Sequence, residues 1–150
     1  MLSTIEQVLI LRTVGLFSHV PDEVLAEVAL LLHEMEVKPG ETIVRKGETG
    51  DCLYILVDGK VRVHDGERTL NHLGEGAVFG EMAVLDAEPR SASVTAVEET
   101  RLFRLDQDPL YELMADRIEV ARGIIHVLTA NMRARMRDLD DLRTRLEGRG

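Results

Sequence analysis

Between Glu34 and Asp106 the chain alternates short apolar runs with glycine-rich turns, and this rhythm restricts its fold more than any other feature. Residues 35–37 alternate, and Lys38-Pro39-Gly40-Glu41 is a turn signal. Residues 42–45 form the next strand, broken at Gly47-Glu48-Thr49-Gly50-Asp51. Residues 53–57 are a strand, Asp58-Gly59 reads as a hairpin turn, and residues 60–64 return. Asp65-Gly66 marks a second tight turn, and a short strand over 71–73 is closed by Gly74-Glu75-Gly76. Residues 92–97 and 102–105 alternate again, joined by Glu98-Glu99-Thr100. Strands this short and this regularly punctuated predict a mainly β fold with flanking helices: a β-roll or jelly-roll barrel, a double-stranded β-helix.

Helical grammar flanks this region. Ile5, Val8, Leu9 and Leu11 mark a short opening helix, and residues 13–17 read as a turn with an apolar plug. Acidic residues after Pro21 start another helix, with Val24, Leu25, Val28, Leu31 and Leu32 on one face, ending near His33. Asp108-Pro109 reads as N-cap and first turn of a third. A long helix over about 116–147 carries Ile118, Ile125, Met132, Leu139 and Leu146 at one heptad position. Ala121, Leu128, Arg135 and Leu142 follow three residues later, so only Arg135 violates the seam of a coiled coil. The organisation expected is one domain over 1–150: helices over 1–33, a β-roll over 34–106, and C-terminal helices over 108–147.

At 150 residues the chain is large enough to bury a core unaided. Its net charge of −9 argues against nonspecific binding to nucleic acid or acidic membranes. The segment from Ala115 onward is net +2, which leaves −11 for the rest and lets the last helix be drawn to an acidic surface. One cysteine, Cys52, excludes an internal disulfide and suits a reducing, cytoplasmic setting. No apolar run reaches membrane-spanning length, and there is no signal-peptide pattern. His19, His33, His64, His72 and His126 form neither an i, i+4 pair nor a Cys/His cluster, so no metal or cofactor is expected. No nucleophile elbow or phosphate-binding Walker loop is present.

The stretch over 79–95 interrupts the strands with the one helical insertion expected among them. Gly80 permits close backbone approach and unusual turns. Good helix formers follow, so the amides after Gly80 open a helical turn whose unpaired N–H groups attract a phosphate. Pro89 stiffens the chain before Arg90, whose guanidinium is a fork of donors suited to phosphate oxygens. Ser91 adds a hydroxyl. Glu81 would repel a phosphate unless it faces a neutral donor on the same ligand, such as a ribose hydroxyl. The plainer reading is a surface ion pair between Glu81 and Arg90, worth about 0–1 kcal/mol.

Phe79-Gly80-Glu81-Met82-Ala83 followed by Pro89-Arg90-Ser91-Ala92 resembles the phosphate-binding cassette of cyclic nucleotide-binding domains. That family includes the catabolite activator proteins, the regulatory subunits of cAMP-dependent kinase and the cyclic nucleotide-gated channels. The resemblance covers roughly residues 11–142. It implies that Glu81 accepts from the ribose 2′-hydroxyl and that Arg90 pairs with the cyclic phosphate. The amides of Gly80, Met82 and Ala83, with Ser91 and Ala92, complete the cradle. Val61, Val63 and Leu73 are the expected apolar wall for the purine, and Thr129, Asn131 or Arg133 the candidates to cap it.

The function expected is a noncatalytic sensor of a cyclic mononucleotide, cAMP before cGMP, whose ligand repositions the C-terminal helix. Expected partners are the nucleotide, a second copy joined through that helix, and a fused or separate effector. No DNA-reading segment is expected within these residues. The alternative is a dimerisation module with a vestigial pocket. A metal enzyme on a similar β scaffold needs clustered ligands that the sequence lacks.

Overall fold

The computed structural model describes residues 2–80, 85 and 89–148. Helix α1 (Thr4–Thr13) begins at Ser3, whose hydroxyl accepts from the Glu6 amide while the Glu6 carboxylate reaches back to the Ser3 amide. This reciprocal box satisfies amides that a helix start otherwise leaves unpaired. A 3₁₀ turn (Gly15–Phe17) inserts Leu16 and Phe17 into the core. Helix α2 (Asp22–Ala29) is shorter than its apolar pattern predicts; it stops before Leu31 and Leu32, and strand β1 (His33–Val37) starts almost at once.

The strands form two antiparallel four-stranded sheets. In the first, β1 lies beside β8 (Thr100–Asp106), then β3 (Cys52–Asp58), then β6 (Val78–Phe79). In the second, β2 (Thr42–Val44) lies beside β7 (Ser93–Ala96), then β4 (Val61–Asp65), then β5 (Arg68–Leu73). The turn at Asp58-Gly59 corrects the expected hairpin, because β3 pairs with β8 and β6 whereas β4 pairs with β7 and β5. A bulge between Leu56 and Asp58 bends β3, and the chain passes there from one sheet to the other. Asp65 and Arg68 do close a true hairpin, and β5 is six residues long, twice the length expected.

Burial explains the layering. Along β3, Leu53 and Ile55 face a core shared with Phe17, Leu25, Phe103 and Ile124 of the helical layer and β8. Cys52, Tyr54 and Leu56 face a second core between the sheets, with Val61, Phe79, Val94 and Leu102. Alternate residues thus point to opposite sides, as strand geometry requires.

Helix α3 (Gln107–Asp116) starts at Asp106, two residues before the expected cap, and Pro109 falls in its first turn, where no intrahelical donor is needed. Leu110 anchors it, fully buried. Helix α4 (Ile118–Glu147) docks only its first turns: Val120, Gly123 and Ile124 are buried, and the His126 ring lies 4.0 Å from the His19 ring. Arg117 is paired to Glu27 of α2 at 2.8 Å. Beyond Leu128 nearly every residue is exposed, so the helix projects from the domain by roughly 25–30 Å at 1.5 Å per residue. Among the described residues, no helix is long and apolar enough to cross a membrane.

Candidate functional site

Arg90 is fixed before its side chain does anything. Its amide donates to the Glu48 carbonyl at 2.8 Å, and its carbonyl accepts from the Gly47 amide at 2.9 Å. Pro89 bridges Thr49 in the same antiparallel manner. The loop after β2 therefore straps the backbone of Arg90 to the barrel.

The half-buried guanidinium then lies between two glycines. Nη2 donates to the Cys52 carbonyl at 2.8 Å, and Nη1 makes a longer bond of 3.4 Å to the Gly80 carbonyl. A Cβ at Gly50 would overlap the guanidinium, and a Cβ at Gly80 would overlap Nη1 and sit 3.1 Å from the Cys52 carbonyl oxygen. Gly80 also has φ +84°, a backbone state closed to most side chains. Both positions thus exclude any residue but glycine while Arg90 holds this pose.

Two carbonyls use two of the five guanidinium N–H donors, so the group retains donors for a further acceptor. Among the described residues no carboxylate lies within ion-pair distance of Arg90. An oriented, half-buried cation with spare donors is suited to binding an anion.

An aromatic pair lies near it, close enough for Arg90 to act on the Tyr54 hydroxyl. Tyr54 and Phe79 stack with ring centroids 5.1 Å apart and an interplanar angle of 21°. Burial, then the hydrogen bond and proximity to Cys52, push the Tyr54 phenol above its usual range, so it stays a neutral hydroxyl. Beyond it a polar cavity of about 580 Å³ is lined by Asp51, Arg104, Asp106 and Gln107 among others. Arg104 and His33 both turn to Asp106 there, at 3.0 and 3.5 Å.

The structure brings Gly80 and Arg90 into contact, with Ala92 half-buried and Ser91 exposed beside them. Glu81, Met82 and Ala83 lie outside the described residues. Val63 and Leu73 are half-buried on the inner face of the second sheet, where Val63 pairs with Val94 and Leu73 with Val61. Val61 is the exception among the expected wall residues: it is fully buried between the sheets and presents no surface to a ligand. Thr129, Asn131 and Arg133 are all exposed on α4. His64 bonds the Thr95 hydroxyl and the Gly66 carbonyl, both at 2.7 Å.

Sequence reasoning missed Gly50 and the Cys52 carbonyl. The glycine was visible as part of a strand break, but its partner, Arg90, is forty residues away in the chain and meets it only through the strap. Among the described residues no group of three or more His, Cys, Asp or Glu could hold a metal ion.

Residues 34–117 match the family model for the cyclic nucleotide-binding domain. The chain is 34% identical over 138 residues to the CRP-like cAMP-activated global transcriptional regulator of Mycobacterium tuberculosis, covering 89% of this chain and 62% of that one. It is 40% identical over 95 residues to the cGMP-dependent protein kinase of Toxoplasma gondii, covering 63% of this chain and 9% of the kinase. The N-terminal domain of a transcriptional regulator from Streptomyces coelicolor A3(2) has a similar structure, with a TM-score of 0.80 at 29% identity, covering 87% of this chain and 94% of that one. The chain thus spans less than two thirds of the length of these curated relatives.

Proposed function

This chain belongs to the cyclic nucleotide-binding domain family, and from that premise we propose that it is a noncatalytic sensor for cAMP, with cGMP as the competing ligand. The observation that carries the reading is Arg90, seated between Gly50 and Gly80 with donors to spare and no described carboxylate beside it. Arg90 pairs with the cyclic phosphate, and Gly80, Met82, Ala83, Ser91 and Ala92 line the cradle. Glu81 accepts from the ribose 2′-hydroxyl. Val63 and Leu73 offer the purine an apolar wall. The similarity to a regulator described as cAMP-activated favours adenine over guanine.

Ligand binding moves α4 by favouring one of its positions over another, with a coupling of about 1–3 kcal/mol typical for such devices. The exposed face of that helix fits a second copy. Ile118, Ile125, Met132, Leu139 and Leu146 are each at least 60% exposed at heptad spacing, too much bare apolar surface for an isolated projecting helix. Dimerisation there gives the second reading, a dimer module with a vestigial pocket, its own observation. The free Cys52 fits a cytoplasmic setting.

Calorimetric titration with cAMP, cGMP and 2′-deoxy-cAMP tests the sensor. Arg90→Ala should cost on the order of 1.5–3 kcal/mol in binding, the range for a charged hydrogen-bonding partner. Glu81→Ala should weaken cAMP more than its 2′-deoxy analogue; equal losses remove the role given to Glu81. Silence with every nucleotide at millimolar concentration favours the vestigial reading. Sedimentation should show a dimer that Leu139→Glu dissociates, and a monomeric wild type would remove the helix from the interface.

A further inference from the structure

We propose that Tyr111 is a positioning residue, a latch that ties the middle of the 79–95 stretch to helix α3 and carries nucleotide occupancy to the helical layer. Its hydroxyl donates to the Leu85 carbonyl at 2.8 Å. The Gln107 side-chain amide donates to the same hydroxyl at 3.3 Å, one helical turn earlier, which turns the Tyr111 proton toward Leu85. Leu110, fully buried beside Tyr111, fixes α3 against the core, so the latch has a rigid end. Leu85 itself packs on that same core.

The first turn of α3 holds the other side of the site as well. The Gln107 amide donates to the Asp51 carbonyl at 2.8 Å. Asp51 lies between Gly50, which underlies the Arg90 guanidinium, and Cys52, whose carbonyl accepts from it. Through Gln107 and Tyr111, α3 therefore bonds to backbone on both sides of Arg90. A ligand that draws Arg90 and its neighbours together pulls on both bonds at once. Helix α4 follows α3 directly, with the Arg117 amide donating back to the Leu113 carbonyl at 2.7 Å, so a shift of α3 reaches the projecting helix. Tyr111 is 40% exposed and contributes little burial, which separates its hydrogen bond from a packing role.

The proposal rests on nucleotide binding at Arg90, and its test separates the two. Wild type and Tyr111→Phe, which differ by one oxygen, are titrated with cAMP and cGMP by calorimetry. Amide hydrogen exchange is followed with and without the nucleotide that binds. The variant should bind about threefold to tenfold more weakly, the range for losing one neutral hydrogen bond. Its melting midpoint should fall by no more than about a few degrees, the cost of that one bond in the folded state. Nucleotide should still protect the amides near Arg90 and β7 in the variant, while the change it produces in α3 and α4 is lost. Wild-type binding with a variant that binds equally well or more tightly, or whose α3 responds as before, overturns the latch alone. Weaker binding accompanied by deprotection of the whole fold assigns Tyr111 to packing and overturns it too. A wild type that takes up neither nucleotide overturns the sensor reading and the latch with it.

Discussion

The two sheets of the barrel share an inner core and differ in what covers their outer faces. In β3 every residue from Cys52 to Leu56 is buried, because helices cover the outer face of that sheet and the second sheet covers its inner face. In β5 no residue is buried, and only Leu73 reaches partial cover. One sheet is a foundation closed on both sides. The other is a wall with water on one side and, at Val63 and Leu73, only partial cover on the other. A binding site needs both: a surface that does not yield and a surface that is not yet filled. Arg90 sits where they meet, strapped to the loop after β2 of the open sheet and bonded to Cys52 of the closed one.

The largest effect that could break this contrast lies in the closed sheet. Phe103 is fully buried between β8 and the helices, so Phe103→Ala removes a ring that nothing can replace. The expected cost is about 3–5 kcal/mol, lowering the melting midpoint by roughly 10 °C in a domain of this size. A loss near 1 kcal/mol would mean that the helical layer collapses into the gap and that the foundation is softer than its burial implies.

Val63 sharpens the contrast from the other side. It is half-buried on the inner face of the open sheet, opposite Val94. Val63→Ala should cost only about 1 kcal/mol of stability, since it removes little fully buried surface. Affinity for the cyclic nucleotide should fall by several-fold in the same protein. A thermal shift as large as that of Phe103→Ala, with binding untouched, would make the open sheet as structural as the closed one.

The same contrast explains what could be read from the chain. In the closed sheet β3 announces itself, since Leu53-Tyr54-Ile55-Leu56 can lie nowhere but inside, whereas the two residues of β6, Val78 and Phe79, carry no strand signal of their own. The heptad of α4 is equally plain, as is Arg90 between Pro89 and Ser91. The open sheet hides only the first half of β5, since Arg68 and Thr69 look like loop residues, and only pairing with β4 shows that the strand starts at Arg68 rather than at Asn71. Asp58-Gly59 has hairpin chemistry, but a turn residue fixes only local direction, and the sheet each flanking strand joins is decided by β8 and β7. Gly50 escaped for a related reason. Its lack of a side chain matters only because Arg90, distant in sequence, lies over it.

The smallest effect concerns how the open sheet is held at its rim, where burial cannot help. Lys46, just past β2, contacts Asp65 at the end of β4 at 2.8 Å, and both side chains are about half exposed. The hydrogen bond and charge of Lys46 hold the Asp65 carboxyl below its ordinary value of 3.8. A carboxyl depressed in the folded state contributes stability above its unfolded value and loses that contribution as pH falls through the folded one. The window is therefore acidic, below pH 3.8, and the pair is constant at neutral pH. Lys46→Met should return the Asp65 carboxyl toward its ordinary range in an NMR titration while leaving the melting midpoint at neutral pH almost unchanged, as for exposed ion pairs generally. A clear loss of stability at neutral pH would show the rim pair tying the two strands together, and the open sheet would then be fastened by charge where the closed one is fastened by burial.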